Sequence, residues 1–413
     1  MRCVDRRGFE IWTNSLGDEP GRRAAEVGVE IFNLSRVQWL ICHIGNVTIR
    51  VVLRFEPHFT SPSVARWPAC LDSWGLPAGN LGPLAHSDGR VEIQIRDLDQ
   101  AVIGNPTHDL VRLGLSLASA ARGSDLPGVT TARILEQIIE GYAAAMEPGQ
   151  TGDEGVDVPE PMRAAVKTAR RRSWQHLAKE RIENIKPTIP LGKRFWPLAT
   201  DERSEITHLF EKEHVRQLAT MLRSRKDDAP VDMLDAAYWK KGCSSLGKLR
   251  YCVLLGVGDK QLELCLMDLK EAVQAAAPAD DSADMPEDQA QRVVEGARHL
   301  SPHLGERMRA IQLFGRSIFI RELLPQDLKI ELETLTREQA MNIARFLANV
   351  VGKAHARQMD EDTRSKWAKE LSRARSGSLK APSWLWSSVV DLLGIHEKAY
   401  LEHCRLYALN ESH

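Results

Sequence analysis

The chain lacks most of the features that identify a class of function directly. Its 413 residues include seven cysteines, none spaced as Cys-x-x-Cys or as ligands of a structural metal site. No apolar run approaches the roughly 18 residues of a transmembrane helix, and the N-terminus has no signal-peptide core. The formal net charge is −1, and the basic run 170–172 is interpreted as solvated surface. We expect a cytoplasmic protein with reduced thiols that binds neither nucleic acid nor membrane.

The length and the polarity pattern predict several structural parts. A chain of 413 residues is too long for one compact core, so two or three domains or lobes are expected. Residues 1–77 show no sustained helical or strand period, and we expect a disrupted, poorly ordered region there. A helical lobe with an acidic motif and a helical insertion is predicted over 78–235. A small β lobe follows over 236–335, and helices of the large lobe occupy 336–413.

Regular elements are readable in the sequence from residue 78 onward. Apolar and polar residues alternate over 91–96, which predicts a strand, whereas 107–122 carries an apolar stripe of helical period. Thr336 and Gln339 form a capping pair that predicts the start of a long helix. The other predicted elements are helices over 131–146 and 291–300, strands over 250–256 and 261–270, and a hairpin over 311–323.

An acidic motif ends the first of these strands. Asp97 and Asp99 follow the strand directly, and Asn80 lies upstream in a Gly-Asn-Leu-Gly sequence. Carboxylate and amide oxygens at a strand end are suited to a hydrated magnesium ion that also contacts phosphates. The alternative is a solvated turn with two acidic residues. On this basis Asn80, Asp97 and Asp99 are the candidate metal ligands.

A small-residue loop and a lysine form the second candidate. Backbone N–H groups of such a loop approach phosphate oxygens closely, and Lys270, one strand later, supplies a positive charge. Glu295 in the next helix is expected to hold the lysine. Each feature alone is more often a hairpin turn or a solvated lysine. The predicted loop residues are Gly242, Ser244, Ser245 and Gly247.

The order of these parts is that of a kinase small lobe and its hinge. Glycine loop, lysine, helix with glutamate, hairpin and long helix follow one another, but the acidic motif stands near the N-terminus. The segment 105–110 resembles the Asp-Pro-x-x-Asp-Leu motif of aminoglycoside-phosphotransferase-like kinases. We therefore predict an α+β, two-lobed, protein-kinase-like fold that is circularly permuted. Asp109 is expected to fix a loop backbone, and His355 to pack at a helix end.

From residue 78 onward the chain strongly resembles an uncharacterised bacterial family, domain of unknown function 2252. The resemblance is carried by tracts at 80–82, 94–100, 104–117, 123–128, 241–247, 270–272, 292–296, 321–323 and 355–357. The resemblance implies a kinase-like protein whose phosphate acceptor is undefined.

One departure from this family concerns its presumed catalytic aspartate. The family carries Gly-Asp-x-His-x-x-Asn, but here Gly75 and Pro77 stand where its Asp and His are expected before Asn80. Back-translation of residues 64–77 in another frame permits Leu-Pro-Asp-Gly-Pro-Pro-Val-Trp-Ile-Val-Gly-Asp-Cys-His. One missing base after Pro77 would then restore the present frame. We therefore hypothesise that at least residues 64–77 are translated out of frame.

The sequence thus favours an ATP- and Mg²⁺-binding protein of phosphotransferase ancestry. Asp97 and Lys270 are its candidate catalytic residues, and loss of the general base is expected to impair turnover. Asp268 occupies a strand position where kinases place a small apolar residue under adenine, which argues against ordinary adenine recognition. The alternative is a non-catalytic pseudokinase or scaffold. The acceptor, a small molecule or a protein, and the oligomeric state are left open.

Overall fold

The computed structural model describes most of the chain after residue 69. The described residues are 70–73, 77–147, 157–181, 187–240, 247–259, 262–277, 279–280, 284–330, 335–373 and 380–407, with five strand segments before residue 56. They form a mixed α+β structure in which all strand pairs are antiparallel.

The strands are short in the first part of the chain and longer in the second. In chain order they are β1 (Arg2–Val4), β2 (Glu10–Trp12), β3 (Val29–Leu34), β4 (Val37–Cys42), β5 (Val52–Phe55), β6 (Cys70–Asp72), β7 (Leu81–Ala85), β8 (Val91–Ile95), β9 (Val102–Gly104), β10 (Phe195–Trp196), β11 (Val231–Trp239), β12 (Arg250–Val257), β13 (Glu263–Glu271), β14 (Met308–Leu313) and β15 (Arg316–Glu322).

The helices lie between and after these strands. They are α1 (Thr107–Gly123), α2 (Gly128–Ala144), α3 (Glu160–Arg170), α4 (Trp174–Arg181), α5 (Thr200–Glu211), α6 (Glu213–Thr220), α7 (Gln289–Leu300), α8 (Pro302–Gly305), α9 (Arg337–Ala356), α10 (Glu361–Arg373) and α11 (Ser383–Tyr407). Within the described part of the chain, no helix combines the length and the apolar character required to cross a bilayer.

The strand and helix patterns after residue 78 are confirmed closely. β8 and α1 occupy the predicted ranges, and the predicted hairpin is β14 and β15. The capping box of α9 forms as expected: Thr336 Oγ1 accepts from the Gln339 N–H at 3.2 Å, and Gln339 Oε1 accepts from the Thr336 N–H at 3.0 Å. These contacts satisfy two of the backbone donors that every helix start leaves without an intrahelical partner.

The N-terminal region differs from its sequence pattern. No strand period is evident before residue 78, yet the structure describes β1 to β5 as a five-stranded antiparallel sheet in chain order. β1, β2 and β5 have only three or four residues, and in β3 and β4 apolar and polar residues alternate over only three positions, so no sustained strand period is visible.

A six-stranded antiparallel sheet organises the second half of the described chain. Its strand order is β10-β11-β12-β13-β15-β14, so β13 lies near the middle of the sheet. β12 and most of β13 are buried, since helices α5 and α6 pack on one face and α4 on the other. Lys270 is the penultimate residue of β13, so the burial of this strand fixes the position of the lysine backbone.

A second core is built from helices. α2 and α9 pack against each other, and α1 joins them through Leu110, Leu113 and Leu117. Gly141 lets the two backbones approach closely: a Cβ atom added there would overlap the carbonyl oxygen of Arg345. The hairpin of β7 and β8 contributes Leu81, Ile93 and Ile95 to this core.

We expect the substitution Gly141→Ala to destabilise the protein by about 1–3 kcal/mol or more, because α2 and α9 must separate to accommodate the methyl group. Urea unfolding followed by circular dichroism measures this. Gly123→Ala is the matched control, since nothing lies within 4 Å of a Cβ atom added at that helical glycine. An equal loss of stability in both variants would contradict this packing.

Candidate functional site

Two segments far apart in the chain meet at one charged contact. Lys270 on β13 donates its Nζ to Oδ2 of Asp99, 171 positions away in sequence. The lysine is 6% exposed, whereas Asp99 retains partial exposure. The late lysine and the early acidic motif, which the sequence analysis assigns to one site, therefore lie together.

A buried arginine holds the backbone on both sides of this contact. Arg292 on α7 donates through Nη1 to the Ala101 carbonyl at 2.6 Å and through Nη2 to those of Asp99 and Val273 at 2.9 and 3.1 Å. Its Nε donates to the side chain of Gln289, one turn earlier, at 2.9 Å. The arginine therefore fixes the acidic loop relative to the end of β13.

The hairpin of β7 and β8 brings the third candidate oxygen ligand to the same end. Leu81 pairs with Ile95, and the Arg96 N–H donates to the Asn80 carbonyl at 2.8 Å. Asn80 therefore lies across the hairpin from Arg96 and adjacent to Asp97 in register. Asp97 itself is exposed.

Positive charges surround the acidic loop. Burial and the neighbouring Lys270 ammonium lower the pKa of Lys248, which follows the glycine loop. Burial alone would lower the pKa of Arg321, but Asp268, Asp97 and Asp99 outweigh it and raise that pKa. For the Asp99 carboxyl the directions are reversed: burial alone would raise its pKa, but the Lys270 ammonium outweighs burial and lowers it. These groups thus share one electrostatic environment.

Asp268 has a structural partner set that the sequence did not indicate. Its carboxylate is fully buried, accepts from Nε and Nη2 of Arg250 at 2.8 and 2.7 Å, and accepts from Arg321 at 3.3 and 3.2 Å. Arg321 also donates to the Arg96 carbonyl at 3.4 Å. Asp268 therefore joins β12, β13 and β15, and Arg321 extends this link to the end of β8.

The other predicted phosphate-binding residues divide into two groups. Gly242, Ser244 and Ser245 lie outside the described residues. Gly247 is exposed and has a φ of +74°, a left-handed conformation that glycine adopts without strain.

The predicted ion pair between Lys270 and Glu295 does not form. Glu295 accepts instead from Arg298 at 2.6 Å and from Gln291 at 2.9 Å, both on its own helix. It is Arg292, one turn earlier on α7, that reaches the acidic loop. The partner of Lys270 in this structure is Asp99.

Asp109 has the structural role expected for it. Its buried carboxylate accepts from the N–H and the Oγ of Ser73 at 2.8 and 2.9 Å, and it lies 3.3 Å from Nε2 of His355. Nδ1 of His355 lies 2.9 Å from the Tyr142 hydroxyl, which accepts from Trp367 Nε1 at 3.2 Å. Asp109 thus holds the backbone that leads toward Asn80, and His355 occupies the end of α9 as a packing residue.

This site combines few carboxylates with several cations. Within the described residues, no group of three or more His, Cys, Asp or Glu side chains is arranged to hold a metal ion alone. A magnesium ion bound to phosphates needs only one or two protein carboxylates, because phosphate and water supply the other oxygens. At the end of β8, Asp97 and Asn80 offer one carboxylate and one amide group, and the ammonium groups of Lys270 and Lys248 both lie close enough to Asp99 to lower the pKa of its carboxyl.

Three basic residues of this site were not singled out from the sequence: Lys248, Arg292 and Arg321. The sequence carries a signal for each of them: Arg292 and Arg321 begin tracts that carry the family resemblance, and Lys248 directly follows the glycine loop.

We expect the substitution Asp268→Asn to destabilise the fold by about 3–5 kcal/mol, since the buried Arg250 and the half-buried Arg321 would lose their counter-charge. Chemical denaturation monitored by circular dichroism provides the measurement. Asp362→Asn, which removes one partner of an exposed pair with Lys366 on α10, is the control and should leave stability unchanged. Equal effects at the two positions would rule out a buried ion-pair role for Asp268.

Comparison with known proteins identifies the family. No curated protein and no solved structure matches this chain. The sequence model of a bacterial family described as an uncharacterised protein conserved in bacteria, domain of unknown function 2252, matches residues 76–406. The match includes Asn80, Asp97, Asp99 and Lys270 and covers most of the chain, which therefore belongs to this family.

Proposed function

We propose that this protein is a kinase-like ATP- and magnesium-binding protein of phosphotransferase ancestry. The contact between Lys270 and Asp99 is the observation that carries the proposal, because it joins the two halves of the predicted site. The order of elements supports it as well: β11, the glycine loop, β12, β13 with its lysine, α7, a hairpin and the long helix α9. The phosphate acceptor remains open.

The residues at the site have distinct proposed roles. Lys270 and Lys248 hold phosphate oxygens, and Asp97, with Asn80 beside it, holds the metal. Asp99 keeps Lys270 oriented in the structure described here and is available as a further metal ligand. Magnesium-bound ATP would supply the transferable phosphoryl group when present. Because Asp268 is engaged by two arginines, adenine would have to be bound elsewhere than against this carboxylate.

We further propose that the fold is a circular permutation of the kinase arrangement. In that interpretation the long helix α9 ends at His355 where the catalytic loop would otherwise follow, and that loop stands instead before Asn80. Asp109 links the two sides of the proposed cut: Nε2 of His355 lies 3.3 Å from its carboxylate, which also accepts from the N–H of Ser73, seven residues before Asn80. Two segments that formed one continuous loop before the cut are expected to stay close together after it.

We also propose that residues 64–77 carry a frameshift relative to the family. The structure describes a strand, β6, at residues 70–72, where the other frame would encode Val-Trp-Ile. Those residue types favour strands more strongly than the present Cys-Leu-Asp. Gly75, which replaces the expected aspartate, lies outside the described residues. Resequencing the gene tests this directly, and intact codons with no missing base near Pro77 would end the hypothesis.

A second function is favoured by the absence of a catalytic general base. Without an aspartate five residues before Asn80, the chain has no group in the family position that accepts a substrate proton. A pseudokinase or scaffold without nucleotide turnover fits this departure. The two functions differ in nucleotide binding and turnover, which are measured separately.

Mg-ATP is expected to raise the melting temperature of the natural chain. At 100 times the dissociation constant, binding adds about 2.7 kcal/mol to stability. Lys270→Met and Asp97→Asn should each abolish most of the shift, because they remove the proposed phosphate and metal contacts. Lys398→Met, a change at an exposed lysine of α11, which carries none of the proposed ATP-binding residues, should leave the shift intact. Absence of any shift in the natural chain would favour the scaffold.

Restoring the family loop should raise ATP turnover. The variant Trp74→Gly, Gly75→Asp, Leu76→Cys, Pro77→His recreates Gly-Asp-Cys-His-Ala-Gly-Asn, and general-base catalysis contributes about 10²–10⁴-fold in rate. The measurement is phosphate or ADP release with candidate acceptors and with water. The same variant carrying Gly75→Asn in place of Gly75→Asp is the matched control. Equal turnover by both variants would show that the restored aspartate does not act as a general base.

A further inference from the structure

A cavity lies between α3, β8 and α9, away from the contact of Lys270 with Asp99. Its volume is about 570 Å³, within the range of small-molecule sites. We call it the basic cavity, because six cationic side chains line it: Arg163, Lys167, Arg170, Arg171, Lys353 and Arg357.

Helical spacing produces this concentration of charge. Arg163, Lys167 and Arg170 stand at positions i, i+4 and i+7 of α3 and therefore share one face. Lys353 and Arg357 stand four residues apart at the end of α9. The basic run 170–172, interpreted from sequence as solvated surface, thus contributes two of its members to a concave site.

The opposing charge in the lining is small. Glu92 is its sole acidic residue among those described, and Nε2 of His303 lies 3.4 Å from the Glu92 carboxylate. With the residues that the structure describes, Arg163, Lys167, Arg170 and Arg171 form no ion pair. Four like charges held near one another, with one carboxylate in the same lining, favour an anionic ligand.

The cavity also has an apolar wall. Leu300 is buried, and Phe346 and Val350 of α9 are partly exposed where they line the space. An inorganic ion alone would leave this wall in contact with water. A ligand with an apolar or aromatic body next to its anionic group would cover the wall and meet the cations together.

The basic cavity is separate from the Lys270 site. Asn80, Asp97, Asp99 and Lys270 are not among its lining residues. Gln94, the lining residue nearest to Asp97 along the chain, is three positions from it on an extended segment, a distance of roughly 10 Å. The proposal for this cavity therefore does not rest on the chain binding or turning over ATP.

We propose that the basic cavity is a binding site for a small phosphorylated molecule with an apolar or aromatic portion. Arg163, Lys167 and Arg170 contact the phosphate, and Phe346 and Val350 contact the apolar portion. The concave shape favours a small molecule over a nucleic acid or a bilayer, which would require an extended basic surface.

Calorimetric titration of the full chain with 1-naphthyl phosphate tests the proposal, with 1-naphthol and inorganic phosphate as the two partial probes. We expect naphthyl phosphate to bind at least about tenfold more tightly than either partial probe. The variant Arg163→Gln, Lys167→Gln, Arg170→Gln should weaken that binding by about 10- to 100-fold, because charge-assisted hydrogen bonds are lost. These side chains are exposed, so the fold should be preserved.

Two matched variants make the result specific. Lys179→Gln, Lys193→Gln, Lys212→Gln removes the same charge from exposed positions outside the cavity and should leave binding unchanged. Lys270→Met should also leave binding unchanged, which separates this cavity from the proposed nucleotide site. Equal weakening by the two triple variants would overturn the assignment, as would loss of binding in Lys270→Met.

Three further outcomes would overturn the proposal. One is the absence of measurable binding of naphthyl phosphate to the natural chain. Another is tighter binding to phosphatidylglycerol vesicles that disappears in the Arg163/Lys167/Arg170 variant, which would identify a membrane-contacting surface. A third is the same result with a single-stranded DNA oligonucleotide, which would identify a nucleic-acid surface.

Discussion

The position of the candidate site depends on one buried guanidinium group. Arg292 donates to the carbonyl groups of Asp99, Ala101 and Val273, so a single side chain connects α7, the acidic loop and the residues after β13. Hydrogen bonds from a charged donor contribute about 1.5–3 kcal/mol each, and a buried arginine left without them would be strongly unfavourable. The contact between Lys270 and Asp99 is geometrically possible because this clamp sets the two backbones side by side.

A second set of charged contacts joins the six-stranded sheet to the hairpin of β7 and β8. Arg307 is fully buried, donates to the Glu322 carbonyl at 2.9 Å, and pairs with Asp327 at 3.1 Å. Asp327 in turn accepts from the Ala85 N–H on β7 at 3.3 Å. Arg321 provides a parallel link from Asp268 to Arg96. Such pairs add little net stability compared with apolar packing, but they allow few alternative arrangements of the two parts.

Much of the fold after residue 78 was predictable because each element carries its own local signal. The capping box at Thr336 fixes a helix start, and alternation over 91–95 fixes a strand and its faces. The meeting of the acidic motif with Lys270 was predictable from the order of parts. The partner of Lys270 was not predictable. Glu295 and Arg292 lie on the same helix, and sequence spacing alone does not determine which of them faces the acidic loop.

Features assembled from distant segments left weaker signals. The basic cavity takes its lining from α3, β8 and α9, and a basic run on one helix does not reveal that another basic helix end faces it. The two arginines around Asp268 are contributed by neighbouring strands, so their pairing depends on register rather than on spacing. The strands before residue 56 have three or four residues, or alternate over only three positions, so no period is detected there.

The anchorage of Asp109 has a consequence for shortened forms of this chain. Two of its hydrogen bonds come from Ser73, one from the backbone and one from the hydroxyl. A fragment beginning at the family boundary near residue 76 would therefore keep this carboxylate in the helical core with His355 but without its Ser73 donors. The backbone N–H at position 73 could be supplied by any residue except proline, whereas the hydroxyl donor requires a side chain such as that of Ser73. Ser73, just before the matched region, thus contributes hydrogen bonds to the buried core.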